Sequence, residues 1–223
     1  MSTTFDGPAR AIKPAGPEPP AEAASPPEVA TPAAAATWGN SAPLALAAFA
    51  VPTFMLSAIN VGWVSAALTP MVLAVALMSG GIVQLIAGTI QLRTGNTLTG
   101  VLFSMYGALW LSLWAFDEFF AGEMPPADRN RALGMLLYAF GAFTVWMFIA
   151  SFRTNIIVVS ALALLAATLF VLAAGKYGAN ADLIKAGGWL GFIAGAEAAY
   201  LSCAELCQAA YKREILPVWS LAK

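Results

Sequence analysis

The chain has no histidine, and only 10% of its 223 residues are charged. The missing imidazole removes the commonest general base and the commonest metal ligand together. Charge this sparse, against about 25% in an average soluble domain, leaves too few polar side chains to furnish a soluble active site. The formal net charge of -1 gives no basic surface, so no nucleic-acid partner is expected. There are 2 cysteines, and Cys203 and Cys207 stand one helical turn apart, with nothing else in the chain to complete a metal set. They read as small apolar residues in a packed helix. A Ser–His–Asp set, a phosphate-binding glycine loop and a facing pair of acids are all missing. No enzymatic role, cofactor or metal is therefore expected.

What the chain has in abundance is apolar length: 60% of its residues are hydrophobic. A helix that crosses a bilayer needs about 20 mostly apolar residues, because the hydrocarbon core is about 30 Å thick and each residue rises about 1.5 Å. Six stretches meet that length, roughly 44–63, 71–92, 98–116, 132–151, 156–175 and 187–211. They are too long, and too evenly apolar, for the alternating strands of a barrel. In lipid only helices and closed barrels satisfy every backbone N–H and C=O. The expectation is an all-α integral membrane protein with six transmembrane helices, occupying residues 38–217.

The flanks are different material. Residues 1–37 are rich in Pro and Ala with scattered charges and almost no large apolar side chains. Such a segment cannot bury enough surface to offset its ordering entropy, so a disordered tail is expected. It lacks the continuous apolar core of a signal peptide. Residues 218–223 read as a short C-terminal tail. Arg93, Arg153, Lys212, Arg213 and Lys223 fall on the side of the N-terminal tail. Arg129, Arg131, Lys176 and Lys185 fall on the other. This slight excess places both termini in the cytoplasm of a multi-pass protein of the cell membrane.

Polar residues inside the spans carry the functional signal, because each costs free energy unless paired or wet. Asn60 sits near the end of the first span, Gln84 mid-span in the second, Tyr106 in the third, Thr144 in the fourth, and Glu197, Tyr200 and Glu205 in the sixth. Gln84 and Thr144 read equally well as interhelical hydrogen bonds without a transport role. Glu197 is the deeper of the two acids and is a candidate proton site. A structural bond to Gln84 or Tyr200 is the competing reading. Glu205 lies near the cytoplasmic end, where its carboxylate reaches the interface. Small residues recur at four-residue spacing, as Gly187, Gly191, Gly195 and Ala199, and similarly Gly81 with Gly88 and Gly134 with Gly141. Lipid tails are as apolar as Leu, so such stripes mark close helix contacts.

The segment Asn40-Ser41-Ala42-Pro43-Leu44-Ala45-Leu46, leading into Phe49, resembles the N-P-A-P-L-G-L signature of the acetate uptake transporter family. An ordered series follows: Asn60-Val61-Gly62, Gly80-Gly81 with Gln84, Gly95-Asn96-Thr97, Ser104-Met105-Tyr106-Gly107, Gly141-Ala142-Phe143-Thr144, Gly188-Trp189 with Gly191, and Ala199-Tyr200-Leu201. Ser41 and Ala45 depart from the signature, and Glu197 stands where a small or neutral residue is expected. The resemblance implies that the six helices form a pore within each protomer, narrowed by Phe49, Tyr106 and Leu165, in protomers assembled as a homohexamer. It implies transport of acetate, and of succinate, either with protons or through a channel-like path. Ammonium or ammonia movement is the alternative within transport. A membrane scaffold or sensor without transport is the alternative outside it.

The physics points the same way. A gate of Phe49 and Leu165 suits the acetate methyl, and the Tyr106 hydroxyl can donate to an oxygen. Asn40 reads as an N-cap with Pro43 in the first helical turn, so free N–H groups face the pore mouth and favour an anion. The equal and plainer reading is that Asn40 and Pro43 only begin a helix. Asn40, Asn60, Gln84, Thr144 and Tyr200 are the candidate substrate-binding or pore-lining residues.

Overall fold

Each apolar stretch becomes one helix in the computed structural model, which describes residues 38–221. The tail expected over residues 1–37 lies outside the described residues. The six spans are α1 (Ala42–Asn60), α2 (Ala66–Arg93), α3 (Thr97–Glu123), α4 (Pro126–Arg153), α5 (Ile156–Tyr177) and α6 (Ala181–Tyr211). All six are long and apolar enough to cross a membrane.

Hydropathy fixes the middle of each helix, and capping chemistry fixes the ends. α1 stops at Asn60, short of the apolar stretch, because Gly62 turns the chain at φ 84. α6 starts well before its apolar stretch, since the Asn180 side chain accepts from the N–H groups of Asp182 and Leu183 at 3.0 and 3.1 Å. α5 begins where expected, with Asn155 accepting from the Val158 N–H at 2.9 Å. The cap of α1 is Ser41, not Asn40. Asn40 nonetheless acts one residue earlier, its side-chain carbonyl accepting from the Ala42 N–H at 3.0 Å. Pro43 sits in the first turn and has no N–H to leave unsatisfied.

The helices close into a ring. α1 packs on α6 and α2, α6 on α5, α5 on α4, and α2 on α3. The thinnest contact is between α3 and α4, so the ring has a seam there. Small residues set the close approaches. A Cβ at Gly191 would lie 2.5 Å from Ser57 Oγ of α1, and one at Gly134 would lie 3.0 Å from the Ala173 carbonyl of α5. Cys203 departs from expectation: it is exposed, so it does not pack within the bundle.

α3 loosens into a π-turn at Phe116–Phe120 near its end, and α1 and α2 are irregular within their spans. Residues Ala76–Val83 of α2 wind as a looser π-turn, an arrangement that recurs at functional positions. α1 carries Pro52 in its interior, which removes the N–H that would reach the Ala48 carbonyl. Ser79 of the π-turn supplies the missing donor, its hydroxyl reaching Ala48 O at 3.1 Å. Pro52 of α1 and the loosened turn of α2 are therefore joined through Ser79.

Past α6, Lys212 adopts the left-handed conformation at φ 57 and ends the helix. The chain then returns across the end of the bundle. The Tyr200 hydroxyl donates to the Pro217 carbonyl at 2.8 Å. The Ile156 N–H donates to the Trp219 carbonyl at 3.1 Å, and the Leu221 N–H to the Thr154 carbonyl at 2.8 Å.

Candidate functional site

Two connected spaces run into the ring from the end where α1, α3 and α5 begin. The outer one is a vestibule of about 720 Å³ with walls of mixed polar and apolar side chains. Asn40, Gln91, Asn96, Thr99, Asn155 and Gln208 line it, with Glu205, Lys212 and Glu214 as its charged residues. The inner one is a cavity of about 80 Å³, walled almost wholly by apolar side chains. In this measure a water needs about 10–15 Å³, so the cavity holds only a few water-sized groups. Ala42, Thr99, Leu201 and Glu205 belong to both spaces and form the neck between them.

The neck is held by a polar network that joins four helices, α1, α2, α3 and α6. Asn40 Nδ2 donates to Glu205 Oε2 at 2.9 Å, which ties the start of α1 to α6. The Gln91 amide of α2 lies 2.8 Å from Asn40 Oδ1, 3.1 Å from Ser41 Oγ and 2.9 Å from Thr99 Oγ1. Ser41 Oγ donates onward to the Ala87 carbonyl at 2.8 Å. Ser41, the departure from the family signature, is thus a working member of this network. Ser202 of α6 donates to the Pro43 carbonyl at 2.7 Å.

Helical periodicity explains the inner cavity. Leu46 and Phe49 on α1, Leu102 and Tyr106 on α3, Leu162 and Leu165 on α5, and Ala194, Ala198 and Leu201 on α6 recur at three- and four-residue steps, so one stripe of each helix faces inward. Phe49, Tyr106 and Leu165, chosen for the constriction, all line this one space, and all three are buried. The Phe49 ring stands 5.8 Å from Tyr106 and 6.5 Å from Trp110, both tilted or edge-on. Phe49 also sits at the kink of α1, where Thr53 Oγ1 donates to its carbonyl at 2.6 Å.

Tyr106 and Thr144 meet across the α3–α4 seam, with their hydroxyls 2.8 Å apart. Thr144 Oγ1 also lies 2.7 Å from the Phe140 carbonyl, to which it donates. A hydroxyl carries one proton. With Thr144's proton on Phe140, Tyr106 donates to Thr144, and its own proton is engaged. The expectation that Tyr106 donates to a carboxylate is therefore not met in this arrangement.

Gln84 is a second polar side chain on this wall. Its side chain is 0% exposed and lines the cavity from α2. Among the described residues neither its Nε2 nor its Oε1 has a hydrogen-bond partner. Leaving the hydrogen bonds of a buried amide unmade costs about 1–3 kcal/mol per group.

The other candidates lie elsewhere. Asn60 is at the far end of α1, where it packs near Gly188, and lines neither space. Tyr200 holds the returning C-terminal segment through Pro217 and lines neither space. Glu197 accepts from Ser160 of α5 at 3.0 Å and is not on the cavity wall. Its partner is thus neither Gln84 nor Tyr200. The sequence reading missed Gln91, Thr99, Ser79 and Trp110. The indole N–H of Trp110 is buried and has no partner among the described residues. Pro52 was a legible signal for Ser79, because an interior proline always frees a carbonyl.

The sequence profile of the GPR1/FUN34/yaaH family matches residues 22–223. The succinate-acetate/proton symporter SatP of Escherichia coli (strain K12) is 34% identical over 179 residues, which cover 80% of this chain and 94% of that protein. The ammonia transport outward protein 2 of Saccharomyces cerevisiae is 32% identical over 161 residues, 70% of this chain and 57% of that one. Among solved structures, the bacterial acetate channel SatP superimposes with a TM-score of 0.75 at 32% identity, covering 82% of this chain and 99% of that chain.

Proposed function

The chain belongs to the GPR1/FUN34/yaaH family, and on that premise we propose that it carries small carboxylates, chiefly acetate and also succinate, across a membrane through the space inside each protomer. The observation that carries this reading is the wide vestibule, lined in part by polar side chains, narrowing into an apolar cavity on whose wall the Gln84 amide is unpaired among the described residues. The vestibule gathers and desolvates the solute. The apolar wall accepts the methyl group, and Gln84 meets the carboxyl end. Phe49, Tyr106 and Leu165 form the gate that opposes leakage of hydrated ions, because water leaves a narrow greasy constriction. Passage is proton-coupled or channel-like. Both termini face the cytoplasm, and copies assemble as the hexamer that the resemblance implies.

Uptake of labelled acetate into proteoliposomes, with and without an imposed proton gradient, tests the reading. Acetate influx above that of empty vesicles, inhibited by unlabelled succinate, is the expected result. Inhibition by ammonium and not by succinate would instead favour the ammonia reading that the yeast relative suggests.

We read Glu197, the candidate proton site, as a brace of α5 on α6 through Ser160 rather than as the proton relay. Glu197→Gln keeps an acceptor for Ser160, so the bond is weakened rather than lost and gradient-driven acetate accumulation is expected to stay within about twofold of wild type. Loss of accumulation with passive exchange intact would return Glu197 to the role of proton site.

A further inference from the structure

One turn of α2 holds the constriction from behind. Ser79 stands in the π-turn Ala76–Val83 and lines neither of the two spaces. Its polar groups are spent on the protein itself. The hydroxyl donates to the Ala48 carbonyl of α1 at 3.1 Å. That carbonyl belongs to the peptide joining Ala48 to Phe49, so the bond holds the backbone at the root of the Phe49 ring. The Ser79 carbonyl accepts from the Gln84 N–H, a five-residue step that an α-helical turn does not make. One residue thus links the α1 and α2 sides of the constriction.

Pro52 makes the first bond necessary. It stands four residues after Ala48 and has no N–H to return, so α1 cannot satisfy this carbonyl itself. Ala48 is buried, and a buried acceptor left unmade is costly. The same turn also reaches the ring. Gly80 packs against Trp110 of α3, where a Cβ would lie 2.5 Å from the indole Cγ. The Trp110 ring stands edge-on to Phe49 at 6.5 Å. Ser79 therefore fixes Phe49 at its backbone, while Gly80 fixes it at its edge through Trp110.

We propose that Ser79 is a positioning residue for the constriction: by holding the Ala48 carbonyl that Pro52 leaves open, it sets where the Phe49 ring stands and with it the largest solute that passes. This inference rests on the reading of the chain as a carboxylate pathway narrowed at Phe49. It makes the size limit a property of the α1–α2 contact as well as of the wall side chains. Without the hydroxyl, α1 shifts to find its carbonyl another donor, and the ring leaves its seat beside Tyr106 and Trp110.

Initial uptake of labelled acetate, propionate and butyrate into proteoliposomes tests it, corrected for empty vesicles. The assay runs at about pH 8, where little free acid remains to cross the lipid. Ser79→Ala should raise the butyrate-to-acetate ratio about fivefold, the scale of one neutral hydrogen bond. Ser79→Cys, whose thiol is a weak donor, should shift the ratio the same way by less, and it carries the test if Ser79→Ala fails to fold. Two backgrounds separate positioning from plain packing. Pro52→Ala gives α1 its own donor for Ala48, and Phe49→Ala removes the ring. In either one, Ser79→Ala should change the ratio by less than about twofold, because the partner it acts with or through is gone. A ratio unchanged or lowered in whichever Ser79 variant folds would overturn the inference. So would a shift that persists in full in the Pro52→Ala or Phe49→Ala background. Both results leave the carboxylate reading standing. No protein-dependent uptake of any of the three acids by wild type would remove that reading itself.

Discussion

Phe49→Ala is expected to raise the flux of carboxylates larger than acetate by about tenfold or more relative to acetate itself. A single methylene in an apolar site is discriminated by roughly 10–200-fold, and the present wall around Phe49 leaves only about 80 Å³. The ring fills the space between Tyr106 and Trp110 at 5.8 and 6.5 Å. Its removal opens the inner cavity on the side where α1 is kinked by Pro52 and lets a longer chain lie beside the Gln84 amide. The same truncation costs about 3–5 kcal/mol of packing if nothing collapses into the void, so the flux series belongs at a temperature well below unfolding. Phe49→Leu is the milder companion, with an intermediate shift. Competition between labelled acetate and propionate, butyrate or succinate reads the change. A selectivity order unchanged in both variants would take Phe49 out of the constriction.

The parts of this molecule legible in the sequence are those set by hydropathy and by helical period. Six apolar lengths gave six helices, and Phe49, Tyr106 and Leu165 came from three different helices to one cavity. The helix ends were less legible, because Asn180 and Gly62 act through caps and backbone angles that apolar length does not register. The polar candidates divided by depth and by angle around the helix axis. Gln84 reaches the cavity wall from α2, whereas Glu197 on α6, at the flank of the stripe of Ala194, Ala198 and Leu201, is bonded to Ser160 of α5 and is not on that wall. A residue list in which every intramembrane polar group counts equally does not separate them. The Tyr106 proton was hidden for another reason: its direction depends on Thr144 and Phe140, on a helix that joins α3 only along a thin seam.

Gly88→Leu is expected to abolish folding of the bundle, where Gly122→Ala is neutral. A Cβ at Gly88 would stand 2.5 Å from Ser104 Oγ, 2.7 Å from the Ser104 backbone nitrogen and 3.1 Å from the Gly100 carbonyl. Two of those atoms are backbone, so no rotamer change relieves the contact. α2 and α3 cannot slide apart either, because the turn between them is short and pivots on Gly95 at φ 86. Overpacking typically costs about 1–3 kcal/mol where side chains can yield, and a backbone contact bearing an isobutyl group exceeds that range. Gly88→Ala should fold with a lowered melting temperature, since it forces the same displacement by a single carbon. A Cβ at Gly122 meets nothing within 4 Å, which makes it the matched control in the same helix pair. Thermal unfolding in detergent, read by loss of the monodisperse peak on gel filtration, ranks the three. The functional consequence follows from the same geometry. Gln84 lies one turn from Gly88 on α2, and Tyr106 lies close to Ser104 on α3, so any separation of the two backbones widens the gap between the amide and the constriction. Gly88→Ala should therefore lose acetate selectivity before it loses its fold. An alanine variant that melts lower yet keeps wild-type selectivity would show that the α2–α3 contact holds the bundle without setting the bore.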